Sequence, residues 1–315
     1  MDILVMGGTR FIGVALLPRL LGAGHAVTVF SRGKRPVPLG VGHVRGDRQN
    51  PGDLIQLAGR RFDVIVDTSG RQLAESQQVI AHTGWPRHRF LYVSSAGVYG
   101  NSQQWPLTEQ APPDPRSRHA GKAETEAWLR REGIPFTSFR PTYIYGPGNY
   151  NPIEGWFFAR ILANRPVPIP GDGQLITQLG HVDDLAEAMA RSLEVDTSTN
   201  RIYNCSGATG VTFRGLAAAA AQACGHSLEQ VELRSFDPHL LEPKARKAFP
   251  LRIGHFFTDI NRVCRELAWQ PRFDLVTGLK DSYEKDFRQQ AGQASGQTSD
   301  WSQDEQLLAH AVPLP

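Results

Sequence analysis

Residues 1–21 read MDILVMGGTRFIGVALLPRLL, and the order of residue types in this stretch decides the fold. Ile3 to Met6 is a short apolar run of the kind that forms a buried strand. The turn Gly7-Gly8-Thr9-Arg10-Phe11-Ile12-Gly13 follows at once, and apolar residues then recur at helical spacing as Val14, Leu17, Leu20 and Leu21. Strand, glycine-rich turn and helix in that order are the context in which a glycine fingerprint signals dinucleotide binding. The glycines let the backbone approach a pyrophosphate, and the helix N-terminus supplies oriented N–H groups and a positive dipole. The middle position of the G-x-x-G-x-x-G frame is Arg10 instead of glycine. Its side chain narrows the space for pyrophosphate, while its guanidinium offers a phosphate oxygen a charged donor. A turn that only packs helix on strand is the plainer alternative.

The rest of the composition is that of an ordinary globular chain. The 315 residues, 40% hydrophobic and 21% charged, suffice for one large core or two joined ones. A net charge of +3 does not by itself imply an anionic partner, so local clusters must carry that inference. Cys205, Cys224 and Cys264 are scattered without a C-x-x-C pair, which argues against a disulfide framework or a zinc site. No apolar run reaches membrane-spanning length. The first strand begins directly after Met1 and leaves no room for a leader, so a cytoplasmic location is expected.

Further strands are expected at residues 26–30, 43–45, 62–67, 90–94 and 136–140, with helical stretches between them. This alternation predicts an α/β fold with a doubly wound parallel Rossmann-type sheet and a smaller C-terminal α/β domain. The expected boundaries are 1–150 for the dinucleotide-binding domain, to which segments around 175–205 return, 151–286 for the smaller domain, and 287–315 for a flexible tail. The Pro/Gly-rich residues 167–174 read as a loop, and residues 117–132, 258–268 and 275–287 read as helices. Asp184 and Glu187 have capping-box spacing, which gives Asp183 and Asp184 a structural role at a helix start.

The second strand ends in Ser31-Arg32-Gly33-Lys34-Arg35, where an NAD site would prefer a carboxylate for the ribose 2′-OH. Basic residues suit a 2′-phosphate, so NADP is expected ahead of NAD, with Arg32 beside it and Asp47 at the adenine edge. Cations also gather as Arg10, Arg32, Lys34, Arg35, Arg45 and Arg48, again as Arg116, Arg118, His119, Lys122, Arg130 and Arg131, and again as Lys244, Arg246, Lys247 and Arg252 near Phe249, Phe256 and Phe257. Cations for phosphates and rings for unstacked bases are what single-stranded or looped RNA requires. Arg35, Arg116, Arg118, Lys244, Arg246 and Lys247 are the candidate RNA contacts, and solvated surface charge is the plainer reading of each cluster.

The motifs GGTRFIG, VSSAGVYG, RPTYIYGP and LGHVDDLA resemble the extended branch of the short-chain dehydrogenase/reductase superfamily, over residues 1–286. That resemblance implies a Tyr-x-x-x-Lys pair for proton transfer, with a serine from the fifth strand orienting the substrate. The lysine is Lys122 and the serine is Ser94 or Ser95, but the tyrosine position is Arg118, and no tyrosine lies between Tyr99 and Tyr143. A guanidinium does not give up a proton in a protein, and a positioned general base supplies roughly 100- to 10,000-fold in rate. His119 titrates near neutrality when unperturbed, but one helical step turns it about 100° from Arg118, so an exposed helix position is expected. Ordinary dehydrogenase or epimerase turnover is therefore not expected from this site.

RHAGKAETEAWL, GNYNPIEGWFF, QLGHVDDLA, RKAFPLRIGHFF, FDLVTGLKDSYEKDF and residues 300–310 together resemble the chloroplast stem-loop RNA-binding protein family, atypical members of the same superfamily. The missing leader points to a cyanobacterial relative. The resemblance implies binding of structured RNA or ribosomal particles, and a weak endonuclease activity that would use a divalent metal such as Mg2+. Asp47, Asp67, Asp183 and Asp184 are the available carboxylates, and no spacing singles out a metal site. The alternative is an NAD(P)-dependent epimerase, dehydratase or reductase acting on a nucleotide sugar. Homo-oligomer formation is left open.

Overall fold

In the computed structural model, which describes residues 1–151, 153–293 and 301–314, the opening apolar run becomes strand β1 (Asp2–Met6). It pairs in parallel with β2 (Ala26–Ser31) on one side and β4 (Val64–Asp67) on the other. Strands β3 (Gly42–Arg45), β5 (Arg89–Val93), β6 (Phe136–Arg140) and β7 (Arg201–Asn204) complete a seven-stranded parallel sheet in the order β7-β6-β5-β4-β1-β2-β3. Chain order reverses between β1 and β4, and open α/β sheets of this kind take ligands at the carboxyl ends of the strands beside that switch.

Both faces of the sheet are apolar, as a parallel sheet covered by helices requires. Leu4, Met6, Phe30, Ile65, Phe90 and Tyr92 alternate onto one face and are buried with Trp128 and Leu129. Helices α1 (Ile12–Gly22), α2 (Leu73–Thr83), α3 (Ala120–Arg131) and α4 (Val182–Ser192) flank the sheet, with α1 packed on α4 and α2 on α3. Helix α3 is fixed by a buried ion pair in which the Arg140 guanidinium donates to Glu126 at 2.5 Å, with Ser138 Oγ donating to the same carboxylate at 2.7 Å. The compact unit that contains this sheet comprises residues 1–142, 182–206 and 258–270.

The second unit comprises residues 143–181, 207–257 and 271–315. Its core joins Trp156, Phe157, Phe158 and Ile161 from the helix Glu154–Leu162 to Phe213, Leu216 and the alanines of Phe213–Ala223. Residues 167–170, expected as part of a loop, form a strand that pairs with Leu233–Phe236. The prolines Pro168 and Pro170 in it are compatible with a short strand of this kind. Of residues 258–268 only Asn261–Glu266 is helical.

The segment expected as a flexible tail differs most. Residues 288–293 are helical, and residues 294–300, part of the stretch read as disordered, lie outside the described residues. Ser302–Leu308 is a helix, and Val312–Pro313 pairs with Leu233–Phe236. One charged contact explains the docking: buried Arg160 donates to buried Asp304. The Arg160 guanidinium lies 3.6 Å from the Trp156 ring centroid and 5.4 Å from that of Trp301, and Leu307 is buried in the same core. Asp304→Ala leaves a buried arginine without its carboxylate and is expected to lower stability by about 3–5 kcal/mol. Chemical denaturation checks this, and an unchanged midpoint would show that the segment is only laid on the surface.

Candidate functional site

The loop between β1 and α1 is built as the glycine pattern requires. Gly7 has φ 90°, and a Cβ on Gly13 would come within 2.5 Å of the Gly8 backbone, so helix and strand meet at a separation that only glycine allows. Between them Arg10 is exposed and Phe11 is buried with φ 37°. The first turn of α1, beginning at Ile12, has no side-chain cap and no acidic residue. Its amide end is thus left to backbone, solvent or an anionic ligand. Arg32, Lys34 and Arg35 are exposed past the end of β2, where Ser31 Oγ lies 3.0 Å from His43 Nε2. Asp47, placed in the sequence reading at the adenine edge, accepts from the Gln49 amide at 3.1 Å.

Arg48 is not one of the open cleft cations expected from sequence. Its Nη1 and Nη2 donate to the two oxygens of Asp67 at 2.6 and 2.9 Å, and Nη1 also reaches Ser69 Oγ at 2.8 Å. Asp67, at the end of β4, further accepts from the amides of Ser69 and Gly70 at 3.1 and 2.8 Å and from Ser76 Oγ at 3.0 Å. Burial pushes this carboxyl up, but the Arg48 charge and the donated hydrogen bonds outweigh it and bring Asp67 down to about 2.

Lys122 lies in the first turn of α3 and donates from Nζ to the carbonyls of Val93 at 2.6 Å and Gly70 at 3.0 Å. Burial, only partly offset by Asp67 and Glu126, brings its ammonium down to about 8. The phenol beside it is Tyr92, whose ring centroid is 5.2 Å from Nζ. This phenol is no substitute for the missing tyrosine: its hydroxyl donates to the Gly70 carbonyl at 3.1 Å, and burial followed by the Asp67 charge push it far above its ordinary value. Of the two serines, Ser95 Oγ caps the turn at Gly97, whereas Ser94 Oγ is buried with no hydrogen-bond partner among the described residues.

His119 is not the exposed helix residue expected. Helix α3 begins at Ala120, so residues 118 and 119 precede it and the 100° rule does not apply. The His119 ring packs on Gly97, where a Cβ would collide with its Cδ2, and Arg118 Nε donates to His119 Nε2 at 3.0 Å. Burial first, then the charges of Arg118, Lys122 and Arg71, lower the imidazole to about 4. Arg118 itself is exposed, and Arg116 pairs with Asp114 at 3.2 Å.

Two of the three aromatic residues of the third cluster, Phe249 and Phe256, are not open to bases, while Phe257 is half-buried. Phe249 is buried edge-on to Trp156 and Phe213, and Phe256 is buried against Tyr143. Lys244, Arg246 and Lys247 are exposed around the short helix Pro243–Arg246, with no ion pair among the described residues. The four carboxylates considered for a metal are dispersed: Asp183 pairs with Arg19 at 3.3 Å, Asp67 with Arg48, and Asp184 is buried in α4. Among the described residues no group of three or more His, Cys, Asp or Glu is placed to hold a metal ion.

Sheet order and the strand–glycine turn–helix unit define a Rossmann-type α/β fold. Residues 3–206 match the NAD dependent epimerase/dehydratase family, and the chain belongs to that family and, within it, to the family of the chloroplast stem-loop binding protein of 41 kDa b of Arabidopsis thaliana. It is 43% identical to that protein over 303 residues, covering 90% of this chain and 79% of the relative. Among solved structures, UDP-glucose 4-epimerase of Thermotoga maritima with UDP-glucose superposes with a TM-score of 0.75 at 22% identity, covering 92% of this chain and all of the other. The NAD complex of UDP-glucose 4-epimerase from Thermus thermophilus gives 0.74 at 22%, covering 91% and 99%. These two show a shared fold.

The residues present fit a dinucleotide at its pyrophosphate. The glycine turn and uncapped α1 would hold it there, and the buried Ser94 hydroxyl is a polar group left without a partner among the described residues. A bound nicotinamide supplies a hydride acceptor. Lys122 and Ser94 would stand near it if the resemblance holds at these positions, and the guanidinium of Arg118 would move no proton.

Arg48→Ala leaves a carboxylate buried without its cation and is expected to cost about 3–5 kcal/mol. Because the Asp67 pKa is depressed on folding, its contribution of about 2 kcal/mol is present above about pH 4 and lost as pH falls toward 2. Urea unfolding from pH 5 to pH 2 checks both expectations, and a parent curve flat below pH 4 would contradict the second.

Proposed function

We propose that this protein binds structured, stem-loop RNA on an epimerase/dehydratase scaffold that has lost its proton-transfer residue. The observation that carries the reading is the set of exposed cations Lys244, Arg246 and Lys247, none in an ion pair among the described residues. They belong to the segment RKAFPLRIGHFF and its approach, in a chain 43% identical to a relative named for stem-loop binding. Arg35 and Arg118 are likewise exposed, while Arg116 is partly neutralised by Asp114. With Phe249 and Phe256 in the core, recognition rests on phosphates and helical shape rather than on stacked bases. The cytoplasm is the compartment this reading assigns, in keeping with three free cysteines.

A second reading is favoured by the uncapped turn of α1: a dinucleotide binds as ligand or regulator, with NADP preferred over NAD because Arg32, Lys34 and Arg35 follow β2 where an acid would serve NAD. Turnover of a nucleotide sugar is the weaker part of that reading, since it needs a base that Arg118 does not provide.

Fluorescence-anisotropy titration of a stem-loop RNA at two salt concentrations tests the proposal. Affinity should fall steeply with salt, with a log–log slope of roughly −0.7 to −0.9 per phosphate contact. Changing Lys244, Arg246 and Lys247 together to alanine should flatten the slope by about two to three contacts. Absence of binding at low salt would remove RNA from the account.

A further inference from the structure

The start of α3 gathers polar groups that neither the glycine turn nor the 243–246 helix uses. Strand alternation puts Ser94 on the same sheet face as Phe90 and Tyr92, the face covered by α3. Its hydroxyl is buried there without a partner among the described residues, one residue past the carbonyl of Val93 that receives Lys122 Nζ at 2.6 Å. Lys122 has two of its three protons committed to carbonyls and one left to donate. The Arg71 carbonyl and the Gln72 side chain press on Gly121, where a Cβ would clash with both, so the chain at Arg71 runs beside the first turn of α3. Arg71 and Arg118 are exposed, and neither makes an ion pair among the described residues.

Asp67, Glu126 and Glu75 are already engaged, and Glu124, in the second turn of α3, is exposed. Asp67 is held by Arg48, and Glu126 by Arg140 and Ser138. Glu75, the acid closest in sequence to Arg71, accepts from the amides of Arg71 and Gln72 at 2.6 and 3.1 Å. The first turn of α3 contains no acidic residue, and no side chain caps it. Cations and hydroxyl therefore outnumber available protein acceptors at one end of a 12-residue helix.

We infer that this corner binds a phosphate group, with Arg118 and Arg71 as exposed charged donors, Lys122 as the third cation and Ser94 as the buried hydroxyl donor. On this view Arg118 does more than remove a base. A guanidinium at the tyrosine's place turns a proton-transfer position into an oxyanion position, because its forked donors match phosphate oxygens and never deprotonate. His119 is the internal reporter. It is packed on Gly97, takes a hydrogen bond from Arg118 and is held near 4 by burial and by the cations around it. A phosphate anion seated among those cations offsets their field and raises the imidazole. Arg118 is shared with the RNA reading, but phosphate binding at this corner does not depend on that reading, since the probe is inorganic phosphate alone.

The test follows the His119 imidazole by proton NMR against pH in the full chain, with millimolar inorganic phosphate and, separately, with sodium chloride at matched ionic strength. Phosphate should raise the His119 midpoint by about one unit, a tenfold change in proton affinity, beyond any shift in chloride. Arg118→Gln, at an exposed position, should keep the fold and weaken phosphate roughly 10-fold. A shift equal to that in chloride, or a phosphate response unchanged in Arg118→Gln, overturns the site. Once phosphate binding is shown, displacement by a stem-loop RNA assigns the site to a backbone phosphodiester, and displacement by NADP+ assigns it to the dinucleotide. Loss of RNA binding with phosphate binding intact would end the RNA reading and leave this site standing.

Discussion

The carboxyl edge of the central sheet depends on the pair between Arg48 and Asp67. The loop after β3 supplies the guanidinium, the end of β4 the carboxylate, and the amides of Ser69 and Gly70 with the Ser76 hydroxyl complete the shell. Ser69 and Thr68 in turn bracket Gly7, where a Cβ would meet them at 2.9 and 3.0 Å, and Thr68 Oγ1 donates to the Met6 carbonyl at 2.9 Å. The Gly70 carbonyl receives both Lys122 and Tyr92. One buried ion pair thereby fixes the glycine turn, the β4 exit and Lys122 in relation to one another. Such a pair is a costly thing to break from one side, and its full shell of donors is what makes it tolerable in the core.

The change at residue 118 has a simple physical meaning in this setting. A phenol beside an ammonium is an acid–base device, because the cation lowers the phenol toward neutrality. Here the phenol nearest to Lys122 is Tyr92, buried and committed to a carbonyl, and the residue at the tyrosine position is a permanent cation. The parts that would hold a dinucleotide persist in the glycine turn and α1, while the part that would move a proton is gone. What stays is a scaffold with exposed arginines at this edge and the exposed cations Lys244, Arg246 and Lys247 at and just after the 243–246 helix.

The fold was legible because its signals are local. Ile3–Met6, the glycines and the apolar spacing after Val14 lie within one strand–turn–helix unit, and FDVIVD and FLYVS repeat the strand pattern. The Arg48–Asp67 pair was not, since its members are 19 residues apart and are joined only when the loop after β3 folds over the sheet edge. His119 was misplaced because the helix start moved from 117 to 120, a shift within the usual uncertainty of helix ends that nevertheless turns the ring onto Gly97. The rings of Phe249 and Phe256 looked available beside lysines and arginines, yet they pack inward because single-sequence spacing in an irregular segment does not tell which side faces the core. The docking of residues 301–314 rests on Asp304 and Trp301 meeting Arg160 and on Leu307 entering the neighbouring core, a long-range match that composition conceals.

The most direct test of this account is hydride transfer by the unaltered protein. It would be incubated with NAD+ or NADP+ and a panel of nucleotide sugars, with cofactor binding measured in parallel by calorimetry. The account predicts that a dinucleotide can bind and that no reduced cofactor or isomerised sugar accumulates above background. Turnover at an ordinary enzymatic rate, about 1 per second or faster, would contradict it, because another group would then be performing the proton transfer for which Arg118 is unsuited.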